Sequence, residues 1–283
     1  MEKGEPSRTA MMAATIRGLH RFDDAPPWVF DDPLALPLVG PAWREHQAQL
    51  VAKLGEAVLF ATSGMLLGRI RAAEDRLAAG AFEQYVILGA GLDSFAWRRP
   101  DALAAGLRLF EVDHPSSQAW KRARVAELGL PMGERHVFVP VDFESETLAA
   151  GLDRAGFDWT KRTFYSWLGV VPYLTVDAIE TNLRSLATTA PGSEVALTYL
   201  LPEPLVEDTG RVMLDRWGKA AAELGEPLLT MWTPEEAEAC ARRCGFKVVD
   251  HPGSAELRDR YFAGRVDGLR PLEFEQLLVM AVV

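Results

Sequence analysis

The sequence predicts an α/β protein with an open, doubly wound sheet of seven mostly parallel strands and a helical N-terminal cap. Residues 85–88, Tyr-Val-Ile-Leu, form a short apolar run that is typical of a strand buried on both faces of a parallel sheet. After this run, strand-like and helix-like segments alternate to the C-terminus, as in βαβ units with right-handed crossovers. No strand is predicted before residue 85, so we expect residues 1–80 to form the cap and residues 81–283 the core, as one structural unit.

The elements follow in order along the chain. Ser7 can cap a first helix that runs to about His20, and residues 50–77 predict one or two more helices. After residue 88 the predicted strands are 107–113, 136–142, 163–168, 194–200, 246–250 and 277–283. The predicted helices between them are 116–128, 176–188, part of 201–224, and one that begins at Thr233, where a capping threonine precedes proline and Glu236.

Composition excludes several classes of function. The 283 residues carry a net charge of −10, which argues against a general binder of nucleic acid or of anionic membranes. No apolar run approaches the roughly 20 residues that span a bilayer, and the polar N-terminus lacks the apolar core of a secretory signal, so we expect a cytoplasmic protein. Cys240 and Cys244 are the only cysteines and have no further metal ligand near them in sequence, so we expect no disulfide framework and no metal site. The sequence leaves the oligomeric state open.

A glycine turn follows the first strand directly. Gly89-Ala90-Gly91 lets the backbone turn sharply and lets a ligand approach where a Cβ would obstruct it, which predicts a cofactor site at the carboxyl end of the strand. Asp113 ends the second strand 22 residues after Gly91, where an acid accepts hydrogen bonds from ribose hydroxyls. A dinucleotide and S-adenosylmethionine both present such a ribose.

The residues after the turn separate these two ligands. Ser94 stands where the dinucleotide fingerprint has a third glycine or alanine, and Asp93 places a negative charge where a pyrophosphate would lie. S-adenosylmethionine has no phosphate but carries a sulfonium and an ammonium, which an acid beside the turn suits. The loop therefore favours the methyl donor.

Five motifs in order resemble those of the leucine carboxyl methyltransferase family, including its bacterial relatives linked to polyketide and other natural-product tailoring. They are LGAGLDSFAWR (88–98), FEVDHP (110–115), VPVDF (139–143), FYSWLGVVPYLT (164–175) and APGS (190–193). The N-terminal stretches TAMMAATIRGLH, FDDPLA and RIRAAED also match in kind. The resemblance implies a class I, Rossmann-like methyltransferase that converts S-adenosylmethionine to S-adenosylhomocysteine and usually forms methyl esters or ethers.

The resemblance also implies which residues bind the cofactor. The turn Gly89-Ala90-Gly91 falls on the cofactor loop and Asp113 on the ribose-binding acid. Asp142 and Phe143 fall on the pair that flanks adenine. One arginine of the pair Arg69 and Arg71 matches the residue that holds the cofactor carboxylate, and Arg17 matches a basic residue of the first helix with the same kind of role.

One position departs from the family pattern. The carboxyl methyltransferases proper carry a glutamate five residues before the tyrosine of the fourth motif, whereas Tyr173 is preceded at that distance by Leu168. We therefore do not carry over that role or the eukaryotic phosphatase-tail substrate. Bacterial relatives with WLGV-type motifs look closer, which indicates a small-molecule acceptor.

The catalytic residues remain open at this point. A carboxylate acceptor needs no general base because it is already ionised at pH 7, whereas a phenol would benefit from one. The candidates are His20, His114 and Tyr173. Two alternative functions are a nicotinamide-dependent oxidoreductase, which Asp93 and Ser94 disfavour, and a member of the same fold that binds the cofactor without methylating.

Overall fold

A computed structural model of the chain describes residues 7–24, 26–142, 145–223 and 225–283. In this part of the chain seven strands form one sheet in the order β3-β2-β1-β4-β5-β7-β6. The strands are β1 (Gln84–Leu88), β2 (Arg108–Asp113), β3 (His136–Pro140), β4 (Thr163–Trp167), β5 (Glu194–Leu200), β6 (Phe246–Asp250) and β7 (Glu275–Val282). Strands β1 to β5 pair in parallel, and β7 runs antiparallel between β5 and β6. The predicted seven-stranded, mostly parallel α/β sheet is confirmed.

Four α-helices precede β1 within the described residues, and eight more follow it. They are α1 (Arg8–Asp23), α2 (Ala35–Val39), α3 (Trp43–Leu54), α4 (Glu56–Ala79), α5 (Phe95–Arg98), α6 (Pro100–Ala104), α7 (Pro115–Glu127), α8 (Leu148–Arg154), α9 (Val176–Leu186), α10 (Asp208–Glu223), α11 (Pro234–Arg243) and α12 (Ser254–Tyr261). Gly55 separates α3 from α4 with a φ of 82°, a conformation that glycine adopts without strain. Helix α12 was not predicted, because only Leu257 on it is buried and the sequence shows no apolar face.

The side chains of β1 alternate between two apolar clusters, one on each face of the sheet. Val86 and Leu88 pack in the cluster that contains α8, α9 and α11, whereas Tyr85 and Ile87 pack against α4 and α5. Helices therefore cover both faces of the sheet. The ends of the strands are left as the places where a ligand can approach the sheet.

Helix α10, from the connection after β5, joins the helices that precede the sheet. Its Ala220 packs with Leu50 of α3, and Lys53 of α3 pairs with Glu223 at 3.1 Å. No single helix in the described ranges is long and apolar enough to cross a bilayer. Helices α3 and α4 meet that test of length and composition only when taken together, and they are bent by 110° where they meet.

Candidate active site

The glycine turn after β1 lies against the end of β2. Gly89 and Gly91 have φ values of 73° and 49°, in the left-handed region that favours glycine. The backbone N–H groups of Gly89 and Ala90 donate to the carbonyl oxygen of Val112 at 2.9 and 3.0 Å. A Cβ at Gly91 would lie 2.9 Å from the Cβ of Ala10 in α1, so this position has neither the conformation nor the space for a side chain.

Asp113 ends β2 directly beside this turn. Its Oδ2 accepts a hydrogen bond from the Gly91 N–H at 2.5 Å, and its Oδ1 accepts one from the His114 N–H at 2.7 Å. Burial raises the pKa of Asp113, although the two N–H donors act in the opposite direction. The carboxylate is thus held in place at the junction of the two strands.

A cavity of about 490 Å³ runs along the carboxyl ends of β2, β1 and β4. Helix α1 and the segment 225–229 also contribute lining residues. Most of the sequence-predicted cofactor residues line it, namely Arg17, Arg69, Gly89, Ala90, Gly91, Asp93 and Asp113. Asp142 and Arg71 are not among the lining residues, and Phe143 lies outside the described residues.

Buried ion pairs hold α1 against the glycine turn. Arg17 donates from Nε to Asp32 Oδ2 and from Nη2 to the carbonyl oxygen of Leu92, each at 2.6 Å. Ser94 Oγ also donates to Asp32 Oδ2 at 2.6 Å. Burial alone would raise the pKa of Asp32, but Arg17 and Arg98 outweigh it and hold the pKa below its ordinary value. The residue that replaces the third glycine of a dinucleotide loop thus ties the turn to the N-terminal helices.

Arg69 lines the cavity and has one donor without a partner among the described residues. Its Nη1 donates to Glu275 Oε1 of β7 at 2.5 Å, while its buried Nε has no hydrogen-bond partner in the described part of the chain. The guanidinium packs closely on Gly169, where a Cβ would lie 2.4 Å from Arg69 Nη2. Burial raises the pKa of Glu275, and Arg69 opposes this shift. Because buried N–H groups are rarely left unpaired, this donor fits a bound acceptor such as a carboxylate.

Arg71 and Asp142 are not among the residues that line the cavity. The Arg71 side chain is 44% exposed, and its Nε donates to Asp75 at 2.9 Å. Of the two candidate arginines, only Arg69 therefore lines the cavity. Asp142 follows β3 beside Asp113, whose carbonyl oxygen accepts a hydrogen bond from the Val141 N–H at 3.0 Å.

The two candidate histidines have structural partners elsewhere. His20 Nε2 accepts from the Val29 N–H at 2.9 Å, its Nδ1 lies 2.5 Å from Asp24, and burial lowers its pKa. His114 caps α7, with Nδ1 accepting from the Ser116 N–H at 3.2 Å. The cavity-lining set of the described residues contains neither histidine. A general base from this pair would require a rearrangement, because both rings are held by local hydrogen bonds.

Tyr173 and Glu226 line the cavity beyond the end of β4. Burial raises the pKa of the Tyr173 phenol. Glu226 follows α10 and accepts a hydrogen bond from the Thr9 hydroxyl of α1. Its segment is anchored on the chain after β4, since the Leu229 N–H donates to the carbonyl oxygen of Pro172 at 2.7 Å. Sequence reasoning missed Glu226, as it missed Asp32 and Glu275, because each meets its partner only through the fold.

A second cavity, of about 540 Å³, lies on the other side of α1. Its lining comes from α1, α3, α7 and α10 and includes Trp120. It has no residue of the glycine turn and none from the end of a strand. The cavity of about 490 Å³, and not this one, is therefore lined by the residues that the sequence predicts for cofactor binding.

Glu180 lies beside the two cysteines, and none of the three lines either cavity. One possible ligand atom from each of Glu180, Cys240 and Cys244 lies within 4.8 Å of the other two. The sequence spacing did not reveal this third group. Burial raises the pKa of Cys240 to about 12, and Glu180 already pairs with Arg184 at 2.6 Å and with Arg243 at 2.7 Å. This arrangement favours neutral thiols packed in the core over thiolate ligands.

Comparison with known proteins identifies the family. The model of the leucine carboxyl methyltransferase family matches residues 10–187. The chain is 31% identical over 300 residues to YktD of Bacillus subtilis, covering 96% of this chain and 97% of that protein, and the name of YktD assigns it to the S-adenosyl-L-methionine-dependent methyltransferases. A Parafrankia protein with the same assignment is 36% identical over 221 residues, covering 72% of this chain and 67% of that protein.

Two solved structures share the fold at low sequence identity. A DUF574 family protein from Streptomyces avermitilis has a TM-score of 0.67 at 17% identity, covering 99% of both chains. A Thermobifida fusca protein described as a methyltransferase has a TM-score of 0.60 at 19% identity, covering 99% of this chain and 96% of that one. The sheet is thus that of a class I, Rossmann-like methyltransferase. The chain belongs to the leucine carboxyl methyltransferase family, and it is an enzyme that uses S-adenosyl-L-methionine as its methyl donor.

Proposed function

We propose that this methyltransferase acts on an oxygen atom of a small metabolite, of the kind modified in natural-product biosynthesis. The observation that carries the proposal is the cavity at the carboxyl ends of β2, β1 and β4, which α1 and the segment 225–229 also line. Thr9 and Glu226 join these two segments by a hydrogen bond, and both residues line the cavity. A small molecule can enter a cavity of about 490 Å³ beside the methyl donor.

The residues at the β2 side of the cavity suit the adenosine half of the donor. We expect Asp113 to accept hydrogen bonds from the ribose hydroxyls, and Gly89 and Gly91 to let the ligand lie close to the backbone. Asp142 and Phe143 would flank the adenine, as the family resemblance implies. Arg69 would bind the carboxylate of the amino-acid half through its unused Nε, and Arg17 would add positive charge beside it.

Catalysis then depends on positioning and on the exclusion of water. When bound, S-adenosylmethionine supplies an electrophilic methyl group on a positively charged sulfur. Asp93, Asp113 and Glu226 give the cavity a negative potential that tolerates this charge. We expect helix α1, held by its Arg17–Asp32 pair, to exclude water from the reacting atoms once donor and acceptor are bound.

Transfer of a labelled methyl group tests the proposal directly. The purified protein is incubated with S-adenosylmethionine labelled in the methyl group and a deproteinised bacterial metabolite extract. We expect label in the small-molecule fraction together with S-adenosylhomocysteine. A protein that binds S-adenosylhomocysteine in calorimetry but transfers label to no small molecule would contradict O-methylation of a metabolite.

Arg69 and Arg71 form a matched pair of variants. We expect the double variant Arg69→Gln/Glu275→Gln to bind S-adenosylhomocysteine about 10- to 100-fold more weakly, because a charged hydrogen bond contributes about 1.5–3 kcal/mol. The second substitution avoids leaving Glu275 as an unpaired buried carboxylate. Calorimetric titration measures the change.

Two controls separate binding from folding in this experiment. Glu275→Gln alone should keep most of the affinity, and Arg71→Gln should leave it within about twofold, because Arg71 pairs with Asp75 outside the cavity. Equal losses of S-adenosylhomocysteine affinity in the Arg69 and Arg71 variants would show that Arg69 does not bind the cofactor.

A further inference from the structure

The charged side chains that line the cavity indicate whether the methyl acceptor is charged or neutral. Five charged side chains line the cavity among the described residues: Arg17, Arg69, Asp93, Asp113 and Glu226. Both arginines are already paired with a buried carboxylate, Arg17 with Asp32 at 2.6 Å and Arg69 with Glu275 at 2.5 Å. The proposed cofactor carboxylate would use the donors that remain. Among the lining residues that the structure describes, no unmatched cation is then left for a second carboxylate, and the acids there would repel one.

The three carboxylates differ in what holds them. Asp113 is bound by two backbone N–H groups, and Asp93 Oδ1 accepts from the N–H of Phe95, the first residue of α5, at 2.7 Å. Backbone N–H groups in and next to the strand ends therefore hold both of these carboxylates in place. Glu226 instead accepts from the hydroxyl of Thr9, a group that can rotate away and can itself accept a hydrogen bond. Glu226 is also only half-buried, so a proton on it can return to solvent.

Glu226 and Tyr173 line the same cavity as Asp113. Asp113 ends β2, whereas Tyr173 follows β4, and β1 separates these two strands in the sheet. The segment that carries Glu226 is bound to the chain after β4 through Leu229 and Pro172. With the ribose at Asp113, the remaining space at Tyr173 and Glu226 is where an acceptor can approach.

We infer that the acceptor is a neutral hydroxyl compound, an alcohol or a phenol, and that Glu226 is the general base that deprotonates it. This inference rests on the proposed O-methyl transfer. The acceptor O–H gives its proton to the Glu226 carboxylate while the oxygen lone pair forms the new bond to the methyl carbon. The carbon–sulfur bond breaks and its electron pair stays on sulfur, which leaves a neutral thioether. The protonated Glu226 then releases its proton to water.

The stability of the labelled product to base tests the acceptor class. A methyl ester releases volatile labelled methanol in mild alkali, whereas a methyl ether keeps its label. The assay uses the metabolite extract described above, supplemented with 4-hydroxybenzoate and 4-hydroxybenzyl alcohol as defined probes. We expect base-stable label. Base-labile label would overturn the hydroxyl acceptor while leaving O-methylation intact, whereas absence of any transferred label would overturn O-methylation itself.

Glu226→Gln tests the role of the base. We expect kcat to fall about 100-fold or more, as for loss of a general base, with affinity for S-adenosylhomocysteine unchanged within about twofold. Glu223→Gln is the matched control, because Glu223 is 68% exposed at the end of α10 and pairs with Lys53 outside the cavity. A tenfold or larger loss of S-adenosylhomocysteine affinity in Glu226→Gln would assign Glu226 to the cofactor and overturn its role as the base. An unchanged kcat would also show that Glu226 is not the base.

Discussion

Replacing Asp113 with alanine should weaken binding of S-adenosylhomocysteine by about 100- to 10,000-fold. The estimate follows from the loss of two hydrogen bonds to a charged acceptor, each contributing about 1.5–3 kcal/mol. The substitution also removes the acceptor of the Gly91 N–H, so the turn loses the contact that fixes it to β2. Calorimetric titration of the purified variant measures the loss. Asp101→Ala is the control, because Asp101 pairs with Arg99 on the surface, away from the cavity.

The same carboxylate predicts how binding depends on pH. Burial raises the pKa of Asp113 in the free protein, so protonation begins at a higher pH than for an ordinary aspartate. The ionised form is the one that accepts from the ribose hydroxyls. Affinity for S-adenosylhomocysteine should therefore fall as the pH is lowered through this raised pKa. Asp113→Asn should remove this part of the pH dependence, and an unaltered profile in that variant would point to another group.

Replacing Lys121 with methionine should lower the free energy of unfolding by about 3–5 kcal/mol. Lys121 and Glu111 form an ion pair beneath the β2 end of the cavity, with both side chains 1% exposed. His136 Nε2 lies 2.9 Å from the other oxygen of Glu111. Burial would raise the pKa of Glu111, but Lys121 and His136 outweigh it and lower the pKa, so this carboxylate stays ionised. Without Lys121 a buried charge loses its main partner.

A double variant distinguishes this cause from a simple loss of packing. Glu111→Gln/Lys121→Met should recover most of the loss, because the glutamine is neutral and can still accept from His136. Lys161→Met is the surface control: Lys161 pairs with Glu83, both side chains are about half exposed, and the expected change is below about 1 kcal/mol. Urea denaturation measures all four proteins. A double variant as unstable as Lys121→Met alone would mean that the charge balance is not the cause.

The parts of the site that sequence reasoning found are those built from neighbouring residues. The apolar run of β1, the glycines that follow it and Asp113 at the end of β2 each carry a local pattern with one physical explanation. The family motifs then supplied Arg17 and Arg69. The choice between Arg69 and Arg71 could not be made from sequence, because two residues along a helix point in different directions and only the packing shows which one faces the cavity.

The residues that were missed have partners far away along the chain. Glu275 on β7 meets Arg69 on α4, and Glu226 after α10 meets Thr9 on α1. No local pattern marks either contact, because each depends on the strand order and on how α1 and α10 pack. The sequence also did not show that both ring nitrogens of His20, a possible base, contact other residues: Nε2 accepts from the Val29 N–H, and Nδ1 lies next to Asp24.

The sequence by itself determined the α/β class, the seven strands, the glycine turn and its acid, and the choice of S-adenosylmethionine over a dinucleotide. These follow from apolar periodicity, from backbone sterics and from the charge next to the turn. Only the tertiary structure decided which arginine lines the cavity, where the two histidines lie, and that Glu226 lines the cavity with Tyr173 and contacts Thr9. Those features are contacts between distant segments, and the packing of the helices around the strand ends brings them together.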